Sequence, residues 1–300
     1  MNAPPHVAAL RLATRGSALA LAQAFLAAAA LEGAGAGRTT TVVIRTAGDR
    51  QPDITAEAMT GQGWFTSELE AALLDGRADC AVHSAKDLPS ELAAGLVVAA
   101  HLERADPRDA LVLRAGEGSG LADLAAGARI GTSSPRRAAG LLAERPDLRV
   151  VSMRGNVDTR LRKLDEGEVD ALVVACAGLD RLGRGLRATV RLDPRSFVPA
   201  PAQGALALEV RQGSEAERLV ARVDHRPTTI AVHAERALLE RLGGGCRLAL
   251  GAWARLEMDM LVLSAAFADE PGSAVRFAEV AGDPCDPLAL AGRVAAELAG

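Results

Sequence analysis

Residues 128–137 have the sequence ARIGTSSPRR, in which a short apolar strand runs directly into the start of a helix. Ser134 is a favourable N-cap residue because its hydroxyl can accept a hydrogen bond from the first helical turn. Pro135 suits the first helical position, where its fixed φ angle and missing N–H do no harm. The segment therefore predicts a strand–turn–helix unit with two adjacent cations, Arg136 and Arg137, beyond the carboxyl end of the strand.

The same arrangement recurs twice further along the chain. Residues 149–156 (RVVSMRGN) and 170–181 (DALVVACAGLDR) each begin as a strand and continue into a turn or helix start. Each segment also places an arginine after its strand, Arg154 in the first and Arg181 in the second. Three successive strands that each end in positive charge indicate a shared binding edge.

Apolar runs bounded by turn residues predict the other strands and helices. Strands are expected at 8–14, 40–46, 79–84, 128–132, 149–153, 170–176 and 205–210. Helices are expected at 18–31, 67–75 and 228–242, and another follows Asn156, which can cap it. Ser67 is expected to cap its helix, with Glu70 completing a capping box. The alternation of strands and helices is typical of an α/β fold with a mostly parallel sheet.

Positive charge follows the predicted strands in both halves of the sequence. In α/β domains, ligands bind in the crevice beyond the carboxyl ends of the strands, where helix N-termini favour anions. We therefore expect one cleft that gathers Arg15, Lys86, Arg136, Arg137, Arg154, Arg160 and Arg181. Because guanidinium groups bind carboxylates and phosphates in a bidentate fork, the expected ligand carries several such groups.

Three other side chains have both a structural and a functional interpretation. Asp87 follows Lys86 and is either a surface acid or a carboxylate that stabilises a developing cation or supplies a proton. Cys246 follows Gly243–Gly245 and is either a buried structural thiol or a thiol that a glycine-rich loop brings near a ligand. These glycines do not form a phosphate loop, because the Lys-Ser/Thr pair is missing. His83 has no second histidine at ligand spacing and is expected to be a satisfied core residue.

Composition limits the classes of function. A chain of 300 residues fits two or three domains. Its formal net charge of −4 and its 2% aromatic content argue against a nucleic-acid-binding protein. The apolar stretch 18–31 follows two arginines, as in a signal peptide, but is expected to be the first helix. No apolar run is long enough to predict a membrane span.

The cysteines indicate a reducing compartment. The chain has four, Cys80, Cys176, Cys246 and Cys285. Their wide spacing matches neither a zinc site nor a CxxC pair, and a chain of this length does not depend on disulfides. We therefore expect a cytoplasmic protein without a metal site.

Seven segments, taken together and in order, resemble the porphobilinogen deaminase family. They are LATRGSALALAQA (12–24), ADCAVHSAKDLP (78–89), DPRDAL (106–111), IGTSSPRRA (130–138), MRGNVDTRLRKLDEGEVDALVVACAGLDRLG (153–183), PAQGALALEVR (201–211) and AERALLERLGGGC (234–246). The resemblance covers residues 10–250, and its motifs are long and collectively specific. The remaining C-terminal residues match only loosely.

This resemblance implies an α/β protein of three domains. Two periplasmic-binding-protein-like (type II) α/β domains would form a clamp, and a smaller C-terminal α+β domain would carry the cofactor cysteine. Domain 1 is expected to span 1–104 plus about 203–222, domain 2 to span 105–199, and the C-terminal domain to span 225–300.

The resemblance also implies an activity in porphyrin (heme-type) biosynthesis. A deaminating transferase would join four porphobilinogen molecules head to tail into the linear tetrapyrrole hydroxymethylbilane and release ammonia. A dipyrromethane cofactor would be attached to Cys246 through a thioether. Each pyrrole carries an acetate and a propionate, which accounts for the cationic cleft. The enzyme would be a cytoplasmic monomer with no nucleic-acid or membrane partner.

Individual roles follow from the same resemblance. Asp87 would be catalytic and would also contact the cofactor. The other cofactor contacts would be Ser84, Lys86, Thr132, Ser134, Arg136, Arg137 and Arg160. The substrate contacts would be Arg15, Ser17, Arg154, Arg160 and Arg181. Phe65 and Gln62 would belong to a lid loop, with Gln62 where the family commonly has Lys, and Ala202 stands where the family commonly has Gly.

Two other functions fit part of this pattern. A two-domain anion receptor would explain the cationic cleft, but it has no need for Asp87 or Cys246. A phosphate-handling transferase would also need cations, but the sequence contains no Walker or glycine-rich phosphate motif.

Overall fold

The computed structural model describes residues 9–46, 66–114, 116–244 and 248–299, which form two compact units. The first unit contains the described residues up to Glu103 and also Leu206–Arg226. The second unit contains Arg104–Ala205 and the described residues from Pro227 onward.

Strands and helices alternate through most of the described chain. The strands are β1 (Leu10–Arg15), β2 (Thr39–Ile44), β3 (Cys80–Ser84), β4 (Leu96–His101), β5 (Asp109–Leu113), β6 (Arg129–Gly131), β7 (Arg149–Val151), β8 (Ala171–Ala175), β9 (Val190–Arg191), β10 (Leu206–Arg211), β11 (Ala249–Glu257), β12 (Met260–Ala268) and β13 (Arg276–Gly282). The helices are α1 (Ala18–Gly33), α2 (Ser67–Leu74), α3 (Pro135–Glu144), α4 (Val157–Asp165), α5 (Cys176–Arg181), α6 (Glu215–Val220), α7 (Arg226–Arg241) and α8 (Pro287–Ala299). Every predicted strand and helix has a counterpart close to its expected place.

Each unit contains a five-stranded sheet, and in both sheets the fourth strand in the order is reversed. The first sheet has the order β2-β1-β3-β10-β4, and the second has the order β7-β6-β8-β5-β9. The central strands are parallel, but β10 and β5 run antiparallel to both of their neighbours. Each reversed strand is the first strand after the chain passes from one unit into the other. The prediction of a mostly parallel sheet is therefore confirmed for four of the five strands in each sheet, and one strand in each is reversed.

Helices cover both faces of the first sheet, because successive strand residues point to opposite sides. In β1, Leu12 packs in a buried cluster with Leu31 of α1, whereas its neighbour Ala13 packs in a second cluster with Leu69 and Leu73 of α2. This two-sided burial explains why the strands are continuously apolar rather than alternating.

Most of the predicted helix starts are correct. Ser134 caps α3 with Pro135 in the first turn, and Asn156 caps α4 by accepting a hydrogen bond from Thr159 N at 2.8 Å. The predicted capping box at Ser67 is wrong. The N-cap of α2 is Thr66, which makes no side-chain cap bond.

Burial of Glu70 explains that error. The Glu70 carboxylate is buried and accepts a hydrogen bond from Ala93 N at 3.4 Å instead of turning back to the helix start. Burial and then the charge of Glu209 raise the pKa of Glu70. The tertiary contact therefore removes the group that a capping box needs.

The C-terminal part of the second unit is an α+β layer. β11, β12 and β13 form an antiparallel sheet in sequence order. A shared core joins this sheet to α7 and α8, with Leu238, Leu263 and Val294 fully buried. The predicted fold class, α/β with a smaller C-terminal α+β domain, is confirmed. The clamp and the predicted domain limits remain predictions.

Among the described helices, none is both long enough and apolar enough to cross a lipid bilayer.

The turn before β10 contains two residues in the left-handed region. Ala202 has a φ of 60° and Gly204 a φ of 90°. An L-residue in this region is strained, so Ala202 holds a conformation that glycine would adopt at no steric cost.

We expect Gly204→Ala to lower the free energy of unfolding by about 3 kcal/mol or more, because it adds both backbone strain and a collision. A Cβ atom at this position would lie 2.5 Å from Ala105 O. Denaturant unfolding followed by circular dichroism measures the change. The matched control is Gly213→Ala, where φ is +74° but no atom lies within 4 Å of the added Cβ. Equal losses in the two variants would contradict the prediction.

Candidate functional site

The turn after β3 carries Lys86 and Asp87. Residues Ala85–Asp87 form a 3-10 turn, which a hydrogen bond from Leu88 N to Ala85 O (3.3 Å) closes. Ala85 and Leu88 are buried, whereas Lys86 is half-buried and Asp87 is exposed. The two apolar residues therefore anchor the turn in the core and leave the Asp87 carboxylate at the surface.

Arg15 and Ser17 lie at the same edge of the first sheet as this turn. β1 and β3 are parallel neighbours, with Leu12 aligned to Cys80, so both strands end at this edge. The Ser17 hydroxyl accepts a hydrogen bond from Ala20 N (3.2 Å) and caps α1. The positive end of the α1 dipole therefore lies at this edge, where it favours an anion.

Ser84, at the end of β3, is held by a residue that sequence reasoning did not identify. Gln23 is buried in α1, and its Nε2 donates a hydrogen bond to Ser84 Oγ at 2.8 Å. This bond orients the Ser84 hydroxyl so that its own proton can donate elsewhere.

The interpretation of His83 as a core residue is confirmed. His83 Nε2 lies 3.0 Å from Glu209 Oε2, and both side chains are buried. The pair links the reversed strand β10 to β3, the strand that leads into the Lys86–Asp87 turn.

In the second unit, Thr132 and Ser134 form the turn between β6 and α3. Thr132 is buried, its N–H donates to Val151 O (2.9 Å), and its Oγ1 accepts from Ser134 N (3.2 Å). Ser134 Oγ in turn accepts from Arg137 N at 3.4 Å. These bonds fix the helix start that the sequence predicts.

Arg136 and Arg137 are both buried, and both lie against Asp109. Arg136 Nη2 lies 2.7 Å from Asp109 Oδ2, and Arg137 Nη2 lies 2.7 Å from Asp109 Oδ1. Gln203 Nε2 also donates to Asp109 Oδ1, at 3.0 Å. Asp109 and Gln203 were missed as site residues. The available signal was a charged residue at the start of an otherwise apolar strand, within the DPRDAL motif.

Arg154 and Arg160 flank the turn between β7 and α4. Both are half-buried. Arg160 Nε donates to Gly155 O at 2.8 Å, and Gly155 has a φ of +107°. The hydrogen bond ties the first part of α4 to the turn. Both arginines therefore lie close to the end of β7, at one end of the second sheet.

Arg181 lies at the end of α5. Its Nη2 donates to Gly204 O at 2.7 Å, while its Nε is buried and has no hydrogen-bond partner within the described chain. Burial lowers the pKa of Arg181 to about 10, although Asp180 opposes the shift. The guanidinium remains charged near neutral pH and retains donors for an anion.

The structure therefore divides the described predicted residues between the two units. Arg15, Ser17, Ser84, Lys86 and Asp87 share one sheet edge in the first unit, and the second unit carries the other described candidates. Cys246, Phe65 and Gln62 lie outside the described residues. Cations, hydroxyls and helix N-termini at strand ends form a donor set suited to carboxylates. Asp87 adds an exposed carboxylate that could hold a proton or stabilise a positive charge.

Two family models match the chain. "Porphobilinogen deaminase, dipyromethane cofactor binding domain" matches residues 10–219, and "Porphobilinogen deaminase, C-terminal domain" matches residues 229–300. Similar curated proteins include porphobilinogen deaminases from Roseiflexus sp. (strain RS-1) and Acidothermus cellulolyticus. The first is 47% identical over 96% of this chain and 95% of its own length. The second is 45% identical over 99% of this chain and 91% of its own length.

Solved structures with a related arrangement are more distant. A periplasmic substrate-binding protein of an ABC transporter from Coxiella burnetii is 15% identical, with a TM-score of 0.45, over 76% of this chain and 96% of its own. The aliphatic sulphonate binding protein SsuA from Escherichia coli is 17% identical, with a TM-score of 0.41, over 78% of this chain and 70% of its own. The sequence relatives, rather than these structures, identify the family.

Proposed function

The chain belongs to the porphobilinogen deaminase family, and we propose that it joins four porphobilinogen molecules into hydroxymethylbilane with Asp87 as its catalytic acid–base and Cys246 as the attachment point of a dipyrromethane. The observation that carries this proposal is the position of Asp87. It is an exposed carboxylate on an anchored turn, at a sheet edge that is otherwise lined by cations and hydroxyls.

The residues present fit a polycarboxylate cofactor. The buried Arg136 Nε has no hydrogen-bond partner among the described residues, and Thr132, Ser134 and Arg137 lie in the same turn. We assign cofactor binding to this turn together with Ser84, Lys86, Asp87 and Arg160. When bound, the dipyrromethane supplies the pyrrole carbon to which the first substrate is joined.

Asp87 has two tasks in this proposal. Loss of ammonia from the aminomethyl group of porphobilinogen leaves positive charge on the pyrrole, which a nearby carboxylate stabilises. The same carboxylate can accept the pyrrole N–H hydrogen bonds and hold the proton that moves between the leaving and attacking groups. Its exposure leaves it accessible to substrate.

The arginines would bind the acetate and propionate groups. We assign substrate binding to Arg15, Ser17, Arg154, Arg160 and Arg181, because a guanidinium pairs with a carboxylate in two parallel hydrogen bonds. Arg181 suits this task because its buried Nε and its bond to Gly204 O restrict its orientation. The lid role of Phe65 and Gln62 rests on the family resemblance alone.

We further propose that the protein works as a cytoplasmic monomer without nucleic-acid or membrane partners. The acidic net charge of −4 supports the absence of a nucleic-acid partner. The described cysteines Cys80, Cys176 and Cys285 are all unpaired, in keeping with a reducing compartment.

The intact mass of the protein tests this function. Purified under reducing conditions, the wild type should carry the added mass of two linked pyrrole units, and Cys246→Ser should not. Cys285→Ser is the matched control, because Cys285 is an exposed free thiol and its variant should keep the added mass. Added mass on Cys246→Ser would contradict attachment at Cys246. A wild type that stays unmodified after incubation with porphobilinogen would contradict the proposed function and favour an anion receptor.

A further inference from the structure

A single buried carboxylate connects two of the candidate cofactor residues. Asp109 is fully buried, and its two oxygens divide between Arg136 and Arg137, each at 2.7 Å. Arg137 Nε also donates to Asp109 Oδ1, at 3.0 Å. The carboxylate is thus the common contact of two side chains that are adjacent in sequence.

Other acceptors complete the orientation of each guanidinium. Arg136 Nη1 donates to Val198 O at 2.7 Å, and Arg137 Nη1 donates to Val173 O at 3.0 Å. With Asp109 on the other side, each planar guanidinium has partners at more than one nitrogen. Neither side chain can rotate without losing hydrogen bonds. Because both side chains are buried, water cannot replace those bonds, and the loss is costly.

The charge balance leaves the group positive. Burial alone would raise the pKa of Asp109, but the charges of Arg136 and Arg137 hold that pKa well below its usual range. Two guanidinium groups and one carboxylate therefore carry one net positive charge in a buried setting. Burial lowers the pKa of Arg136, and the attraction of Asp109 opposes that shift.

We propose that Asp109 is a positioning residue for the cofactor site: it aligns Arg136 and Arg137 so that together they offer one net positive charge to the acidic side chains of the dipyrromethane. The proposal rests on the proposed function, because that function assigns the two arginines to the cofactor. Without Asp109, the guanidinium groups repel each other and lose the contact that fixes their planes.

Gln203 belongs to the same arrangement. It is fully buried, and its Nε2 donates both to Asp109 Oδ1 (3.0 Å) and to Pro107 O (2.8 Å). The Gln203 amide therefore ties the Asp109 carboxylate to the backbone carbonyl of Pro107. Gln203 therefore acts on the arginines through Asp109, without carrying charge itself.

The test compares cofactor loading in Asp109→Asn with a matched control, Asp106→Asn. Asp106 also holds two arginines in the second unit, Arg108 at 2.8 Å and Arg191 at 2.6 Å, and none of the contacts described for it involves Arg136 or Arg137. For each purified variant, intact mass gives the fraction that carries dipyrromethane, and thermal unfolding gives the Tm.

We expect Asp109→Asn to carry about a tenth of the wild-type loading or less, since a hydrogen bond to a charged group commonly accounts for a tenfold effect or more. Asp106→Asn should load within about twofold of wild type. Loading of Asp109→Asn at the wild-type level would overturn the inference and leave the proposed function intact. Loading that falls in both variants in proportion to Tm would show a merely structural role. An unmodified wild type would remove both proposals.

A second variant covers the case in which Asp109→Asn does not fold. Gln203→Leu keeps the Asp109 charge and removes one neutral hydrogen bond from Oδ1. We expect it to fold and to load severalfold less than wild type. Full loading of Gln203→Leu would overturn the inference.

Discussion

Asp87→Asn is expected to fold normally and to turn over porphobilinogen about a thousandfold more slowly than wild type. The side chain is exposed, and the turn that holds it depends on the backbone bond from Leu88 to Ala85 and on the burial of those two residues. An amide in its place is nearly the same size but cannot hold the proton or balance the positive charge on the pyrrole. The Tm should therefore stay close to wild type while kcat falls.

Product formation from porphobilinogen, measured together with the Tm, checks this prediction. Glu91→Gln is the matched control, because Glu91 is another exposed acid in the same unit, four residues further along the chain. It should retain wild-type turnover. If Asp87→Asn kept more than about a tenth of the wild-type kcat, general acid–base catalysis at this residue would be contradicted.

Glu235→Gln is expected to lower the free energy of unfolding by about 3–5 kcal/mol, which corresponds to a Tm decrease of roughly 10 °C. Glu235 is fully buried in α7 and contacts Arg104 Nη1 at 2.6 Å and Nη2 at 3.1 Å. Its oxygens also accept from Ala202 N (2.6 Å) and Ala254 N (2.7 Å). A glutamine is neutral and has only one acceptor oxygen, so it leaves the Arg104 charge without a counter-charge and at least one N–H without an acceptor.

Denaturant and thermal unfolding measure this loss. Asp170→Asn is the matched control in the same unit, because Asp170 holds Arg129 through Nη2 (3.0 Å), Nε (3.3 Å) and the backbone N–H (2.8 Å). The Arg129 side chain is 44% exposed, compared with 11% for Arg104. An exposed pair contributes about 1 kcal/mol or less. Losses of similar size in the two variants would mean that burial does not set the strength of the Glu235 contact.

Much of the fold could be predicted because its signals are local. Apolar runs located the strands, and the Ser134-Pro135 pair located a helix start that the structure confirms. The prediction failed at Ser67, where the burial of Glu70 by residues distant in sequence overrides a local capping pattern. It did not predict β5 as a strand, and it gave no sign that β5 and β10 run against their neighbours, because strand direction depends on the strand's neighbours in the sheet and not on its own residues.

For the candidate site as well, the local features could be predicted and the contacts between distant residues could not. That cations follow successive strands could be predicted from the order of residues, since a parallel strand carries its carboxyl end to a common edge. The acidic side chains and amides that contact those cations could not be predicted. Arg137 and Asp109 are 28 positions apart, and Gln203 and Asp109 are 94 positions apart. No local periodicity relates them.

By itself, the sequence determined seven of the strands and most of the helices in their order, the helix caps at Ser134 and Asn156, and the family, because these depend on neighbouring residues or on long motifs. Only the tertiary structure decided that Arg136 and Arg137 share the carboxylate of Asp109 and that Glu235 holds Arg104. The physical reason is that a buried charge takes whichever partner the packing of distant segments places beside it, and a linear sequence does not contain that distance.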